Sequence, residues 1–143
     1  MNYLPVIVLG SGGHARVLID ALLLNSVKLL GTTDVVPKNM SLLGVPYLGD
    51  DDVVERYSPS EVCLVNGVGS ISQPYLREKL FKKFKNLGYK FINVIHPFAV
   101  IAADVRLGEG VQVMAGAVVQ SGSAIGDNVI VNTNVSVDHD CKI

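Results

Sequence analysis

The residues best suited to chemistry near the front of the chain form the run Gly10-Ser11-Gly12-Gly13-His14-Ala15. Glycines allow backbone conformations that other residues avoid, and they let N–H groups close on an anion at the positive end of a following helix. The natural guest of such a loop is a phosphate or pyrophosphate. Asp34, at the end of the next apolar run, stands where an acidic side chain in this type of fold reaches a nucleoside. Towards the other end, His139 lies between Asp138 and Asp140. Taken alone, a histidine in such a turn reads as a solvated turn residue.

The loop needs a strand before it and a helix after it, and the pattern supplies both. Tyr3 to Leu9 is a short continuous apolar run, and Arg16 to Leu24 carries apolar residues at helical spacing. Val27 to Thr33 reads as a second strand and Gly44 to Gly49 as a short segment between glycines, after which Asp50-Asp51-Asp52 opens a helix through Arg56. Glu61 to Asn66 is a further strand, and Gly67-Val68-Gly69-Ser70 a second flexible loop expected at the same edge of the sheet. Leu76, Leu80, Phe81, Phe84 and Leu87 form one apolar stripe closed by Gly88, with Arg77, Lys82, Lys83 and Lys85 read as a solvated basic face. Tyr89 to Ile95 is expected to complete the sheet. Strands alternating with helices predict a small, largely parallel, doubly wound Rossmann-like α/β domain over residues 1–94.

From residue 95 the period changes. Ile95, Ile101, Leu107, Val113, Val119, Ile125, Val131, Val137 and Ile143 are spaced by six without a slip. Four residues after these come Ala99, Val105, Val111, Ala117, Ser123, Val129, Val135 and Cys141, all small or β-branched. A helix has period 3.6 and an ordinary strand period 2, so a strict six with two inward positions per unit predicts a hexapeptide parallel β-helix over 95–143. Three hexads would close a triangular coil, and stacked coils would bury the aliphatic ladder. Ile143 opens a hexad that is not completed and no polar cap follows, which reads as the first coils of a module cut short.

The composition narrows the class. With 49% hydrophobic and 17% charged residues there is ample core material, and a net charge of -1 gives no general affinity for nucleic acid or an anionic membrane. The N-terminal apolar run has no basic flank or cleavage site, and no run is long enough to span a bilayer. Cys63 and Cys141 sit in apolar patterns without metal-ligand spacing, so buried thiols in the reducing cytoplasm are expected, with no metal.

The run Gly10 to Ala15, the segment Ile95-His96-Pro97-Phe98-Ala99, the hexads and Val137-Asp138-His139-Asp140-Cys141 together resemble one family, in the right order over essentially the whole chain. It is the sugar acetyltransferase family that includes perosamine N-acetyltransferase, the 4-amino-sugar N-acetyltransferase of bacillosamine synthesis and sialic acid O-acetyltransferase. The resemblance implies a left-handed β-helix, a homotrimer binding acetyl-CoA between neighbouring subunits, and an N-terminal domain holding the nucleotide of a nucleotide-linked amino sugar. It makes His139 the general base and Asp140 the residue that orients its ring; Gly10, Ser11, Gly12, Gly13, His14 and Asp34 become the substrate-binding set. A neutral imidazole, with a pKa of about 6.5, accepts the proton that an attacking amine must lose. His96, before Pro97, reads as a turn element. Ser70 departs from the family, which carries an acidic residue or asparagine directly after the second glycine of that loop, and the family's acetyl-CoA contacts lie in coils beyond residue 143.

The leading expectation is acetyl transfer from acetyl-CoA to the 4-amino group of a nucleotide-linked deoxyamino sugar. Sialic acid O-acetylation is the nearest alternative, and a non-catalytic nucleotide-sugar-binding fragment the alternative of another class. A nicotinamide-dependent oxidoreductase, suggested by the glycine loop alone, is disfavoured by the hexad array.

Overall fold

The apolar run at the front becomes β1 (Val6–Leu9), buried at every residue as a central strand of a parallel sheet should be. The computed structural model describes residues 4–143, so Tyr3, the expected start of this strand, lies outside them. Four further strands join it: β2 (Leu29–Thr33), β3 (Ser41–Leu42), β4 (Val45–Gly49) and β5 (Cys63–Asn66). Their order is β3-β4-β2-β1-β5, parallel except for the β3–β4 hairpin. The chain builds outward from β1 to β2 and β4, then returns to place β5 on the other side of β1. The order therefore reverses beside β1, and a crevice outside the carboxyl ends of β1 and β5 is the ligand position in open α/β sheets.

Helix α1 (Gly13–Leu24) follows the glycine loop and buries Ala15, Leu18, Ile19, Ala21 and Leu22. Asp51–Arg56 forms a 3-10 helix capped by Asp50, whose side chain accepts from the Asp52 N–H. Helix α2 (Pro74–Asn86) follows β5 and buries Leu80 and Phe84. It stops at Gly88, φ +90°, where Gly88 N–H bonds to the Lys85 carbonyl and Tyr89 N–H to the Phe84 carbonyl. This is the glycine-terminated pattern that satisfies the last helical carbonyls, completed by an edge-on contact of Phe84 and Tyr89 with centroids 5.6 Å apart.

Two expectations are corrected here. Tyr89 to Ile95 does not complete the sheet: Tyr89 is used in the α2 terminus, Phe91 makes an isolated bridge to Leu64, and Val94–Ile95 pairs elsewhere. Arg77 does not belong to the solvated basic face, being only 4% exposed. Helical spacing sets it three, four and seven residues before Leu80, Phe81 and Phe84, on the buried side of α2 that faces the end of β5, and its charge, not its position, suggests solvent.

A second unit runs Ile92–Ile143. Its two-residue strands are β6 (Val94–Ile95), β7 (Val100–Ile101), β8 (Arg106–Leu107), β9 (Gln112–Val113), β10 (Val118–Val119), β11 (Ala124–Ile125), β12 (Ile130–Val131) and β13 (Ser136–Val137). They form three parallel sheets, β6-β9-β12, β7-β10-β13 and β8-β11, with Lys142 bridging Ala124. Ile95 pairs with Val113 and Val113 with Val131, so each residue stacks on the one three hexads later and the coil is triangular. Val111, Val113, Ala117, Val119, Ile125, Val131 and Val137 form the buried core inside. Ile143 and Val135 are the exposed exceptions, at 58% and 38%.

The corners obey their own rule. Gly110, Gly116, Gly122, Asn128, Asn134 and Asp140 all have positive φ, and each stands three residues after a ladder aliphatic. Only glycine and, at a cost, asparagine or aspartate take this left-handed conformation readily. Asp140 is thus a corner-former as well as the neighbour of His139.

Because Ile125 is 2% exposed within the closed ladder, Ile125→Ala is expected to destabilise the second unit by about 2–5 kcal/mol through lost burial and a residual cavity. Urea unfolding monitored by amide exchange in residues 92–143 measures it. A loss below about 1 kcal/mol would mean that the coil interior collapses around the deletion.

Candidate active site

Two places concentrate the predicted residues. The first is the cleft outside β1 and β5. Gly10, φ +99°, turns the chain out of β1, with its N–H bonded to the Thr33 carbonyl. A side chain there would come within 3.1 Å of the Gly67 backbone, so the two glycine loops touch as expected for a shared ligand edge. Ser11 is fully buried, and both its N–H and its hydroxyl donate to Asp34 Oδ2, at 3.0 and 2.8 Å. Ser11 Oγ accepts from Lys38 N–H at 2.9 Å, and the Ser11 carbonyl from the Asn39 side-chain amide at 3.0 Å. The loop is therefore clamped from both sides.

Gly12 precedes α1 without any side-chain cap, and no acidic residue stands in the first turn. A helix start of this kind has the chemistry to receive an anion. Lys38 crosses the loop, its chain 3.3 Å from where a Gly12 Cβ would be, and its ammonium lies 3.5 Å from Asp34 Oδ2. His14 sits in the first turn of α1 against Gly69, where an added Cβ would lie 3.5 Å from the histidine's own. Gly10, Ser11, Gly12, Asp34 and Lys38 are thus gathered into one cluster, while His14 faces the second loop.

The 67–69 loop is shaped from beneath by Arg77. Its guanidinium donates to the carbonyls of Asn66 and Val68, at 2.9 and 2.8 Å, and the Asn66 amide donates back to the Arg77 carbonyl. Burial lowers the Arg77 pKa to about 10, so it stays charged at neutral pH. At the carboxyl ends of β2 and β4, Thr33 Oγ1 donates to Asp51 at 2.7 Å and the Tyr47 hydroxyl to the Asp34 carbonyl at 2.9 Å. Burial is the main cause raising the Asp51 carboxyl above its usual range, opposed by the Thr33 bond and Lys83. Tyr47 is raised by burial first, then by Asp50, Asp34 and Asp51.

The second place is the corner of the β-helix at residues 138–141. His139 Nδ1 lies 2.8 Å from Asp140 Oδ2, with the two side chains 72% and 78% exposed. Asp138 Oδ1 accepts the His139 N–H at 2.7 Å. The Asp140 hydrogen bond, then the charges of Asp138 and Asp140, raise the His139 pKa above its ordinary value. The turn rests on the corner below: Asp140 N–H bonds to the Ser121 carbonyl, and the Asp140 carboxylate lies over Gly122, where a Cβ would collide with it. His96 is a turn element, its Nδ1 accepting from Phe98 N–H at 3.1 Å. Among the described residues no group of three or more His, Cys, Asp or Glu could hold a metal ion, and no helix is long and apolar enough to cross a membrane.

The sequence profile of the PglD N-terminal domain family matches residues 5–84. The chain belongs to this family. Among solved structures, a histidine-to-asparagine mutant of perosamine N-acetyltransferase from Caulobacter crescentus in complex with CoA and GDP-perosamine is 39% identical, with a TM-score of 0.88 over 96% of this chain and 64% of that one. The acetyltransferase domain of PglB from Neisseria gonorrhoeae, in complex with acetyl coenzyme A, is 31% identical with a TM-score of 0.87 over 99% of this chain and 67% of that one. A stretch of 37 residues, 26% of the chain, is 54% identical to UDP-3-O-acylglucosamine N-acyltransferase from Leptothrix cholodnii, and makes up 11% of that protein. The chain thus has the fold of the left-handed β-helix acetyltransferases and spans just under two thirds of the perosamine enzyme.

Within this PglD-family cleft, sequence reasoning missed Lys38, Asn39, Tyr47 and the Asn66–Arg77 pair. Lys38 had a readable signal, standing four residues after Asp34. Arg77 also had one, its spacing of three, four and seven to Leu80, Phe81 and Phe84, which marks the buried face of α2; its partners, the loop carbonyls, depend on the folded sheet.

Arg77→Met keeps the length of the side chain but leaves the Asn66 and Val68 carbonyls without this donor. Stability is expected to fall by about 1–3 kcal/mol for each carbonyl left unsatisfied. Urea denaturation gives the loss, and faster amide exchange confined to residues 66–69 would locate it; unchanged exchange there would mean that the loop does not depend on Arg77.

Proposed function

We propose that this chain carries the nucleotide-sugar site and the general base of an enzyme that moves acetyl from acetyl-CoA to the 4-amino group of a nucleotide-linked deoxyamino sugar, for surface-polysaccharide or glycan synthesis. The observation that supports this most is the likeness, over 96% of the chain, to an N-acetyltransferase held with CoA and GDP-perosamine. In this reading the N–H groups of Gly12 and Gly13, with the Lys38 ammonium and with His14 in the same turn, receive the diphosphate, while Gly10 and Ser11, whose N–H groups are held by Thr33 and Asp34, shape the loop. Asp34 clamps Ser11 and stands on the nucleoside side of the cleft.

At the β-helix corner, Asp140 holds the Nδ1 side of His139, so the neutral ring carries its proton there and presents Nε2 as acceptor. The sugar amine attacks the thioester carbonyl of acetyl-CoA, forming the N–C bond. The proton passes from nitrogen to His139 Nε2, the C–S bond breaks, and the proton is available to the departing CoA sulfur. His139 and Asp140 are the residues assigned to this step. A homotrimer in the cytoplasm, with boundaries of the two functional parts near residue 94, completes the reading; reduced Cys63 and Cys141 suit that compartment.

The test is CoA thiol release with GDP- and UDP-linked 4-amino sugars, on this chain and on the chain continued by further hexads. His139→Ala is expected to lower kcat by about 10²–10⁴-fold. Turnover undiminished in that variant would remove His139 from the mechanism, and tight GDP or UDP binding without turnover by either form would favour a binding-only protein.

The pH profile carries a sign. A raised His139 pKa means that the neutral base fills only as pH climbs through a value above 6.5, so kcat/KM should rise with pH and its acid limb should lie above 6.5. Asp140→Asn keeps a residue that tolerates positive φ while removing the charge, and should move that limb downward. An acid limb unmoved in Asp140→Asn would show that Asp140 does not act on the ring.

A further inference from the structure

Ser123 is the polar exception among the inward positions Ala99, Val105, Val111, Ala117, Val129, Val135 and Cys141, and it is fully buried. A hydroxyl enclosed in an aliphatic ladder costs free energy unless it is hydrogen-bonded. Here it makes two bonds, both to one turn: Ser123 Oγ donates to the Asp138 carbonyl at 2.7 Å and accepts the Cys141 N–H at 3.1 Å. These two groups flank His139 and Asp140.

Other corners show what this hydroxyl stands in for. Ala99 N–H bonds to the His96 carbonyl, Val105 to Ala102, Ala117 to Met114 and Val135 to Asn132, each closing a turn directly across three residues. At 138–141 the equivalent pair, the Asp138 carbonyl and the Cys141 N–H, is bridged through the Ser123 hydroxyl instead. The bridge inserts an oxygen from the coil below into the turn, setting both its width and its height on that coil. Asp104, one coil lower still, accepts from Ser121 Oγ at 2.8 Å and Gly122 N–H at 3.2 Å, which holds the platform under Asp140.

We infer that Ser123 is a positioning residue that sets the His139–Asp140 pair from inside the β-helix, holding the ring and carboxylate in the register that base catalysis requires. The inference rests on the acetyl-transfer reading for its consequence in turnover, but its structural content can be tested without it. The charged groups acting on His139 are Asp138 and Asp140 on its own turn, with Asp104 two coils below under Ser121 and Gly122, and none is altered by a change at Ser123.

Three variants separate positioning from packing. Ser123→Val places at this site the residue that Val105, Val111 and Val129 already provide at equivalent positions, so the coil has an apolar side chain it accepts elsewhere. Ser123→Ala removes the hydroxyl with less bulk, and Ser123→Thr retains it. In the 143-residue chain, NMR titration of the His139 ring is expected to show its pKa falling towards 6.5 in Ser123→Val and Ser123→Ala, with loss of the Nδ1–H tautomer preference. Ser123→Thr should restore both.

In an active form, kcat should fall by about tenfold or more in the hydroxyl-free variants with both KM values within about twofold, because a misplaced base costs rate and not binding. If Ser123→Val or Ser123→Ala changes the unfolding midpoint but leaves the His139 pKa and tautomer as in the unaltered chain, Ser123 is a packing residue and the inference fails. A shifted His139 with no acetyl transfer to any acceptor would instead sustain the positioning role and refute the proposed activity.

Discussion

The register of each hexad on the hexad eighteen residues later is the constraint on which the second unit depends. It comes from burial: two inward side chains per six residues can leave water together only if three short strands close a coil and the next coil lies on top. Once that register is set, every corner has a defined neighbour below it. Asp140 must lie over Gly122, the 138–141 turn must lie over Ser121 to Ser123, and Asp104 must lie beneath those. The exposed turn that carries His139 is therefore held by a column of residues far apart in sequence, with Ser123 bonding it from the buried interior.

The first unit reaches comparable order by different means. Reversal of the strand order beside β1 brings two glycine loops into backbone contact, a contact that side chains at Gly10 and Gly67 would block. The loops themselves have little apolar mass, so polar groups hold them. Asp34 and Asn39 clamp Ser11, and the Arg77 guanidinium gathers the carbonyls of the facing loop. Carbonyls are drawn towards a buried cation on one side, and on the other the start of α1 carries no side-chain cap.

Much of this was legible before folding because it is periodic or local. The ladder from Ile95 to Val137, the strand–glycine loop–helix at Val6 to Leu24 and the Gly88 helix stop each follow from spacing or from a residue type that few conformations allow. The misreadings lie where an element's fate depends on a partner distant in sequence. Val94 and Ile95 have strand character, but whether they extend the sheet or open the first coil is decided by the availability of Gln112 and Val113. Arg77 has the spacing of the buried face of α2 but the charge of a solvent-facing residue, and the carbonyls of Asn66 and Val68 are what let it be a buried donor.

By itself, then, the sequence determined the two periods, the change between them near residue 95, the glycine loop and the candidate base with its acidic neighbours, because each is written in residues a few positions apart. Tertiary structure decided which of those residues meet: Lys38 over Gly12, Arg77 under Val68, and Ser123 between Asp138 and Cys141. Such contacts join positions that chain spacing leaves independent, and they exist only after burial of the sheet and the coils has brought their backbones within hydrogen-bonding distance.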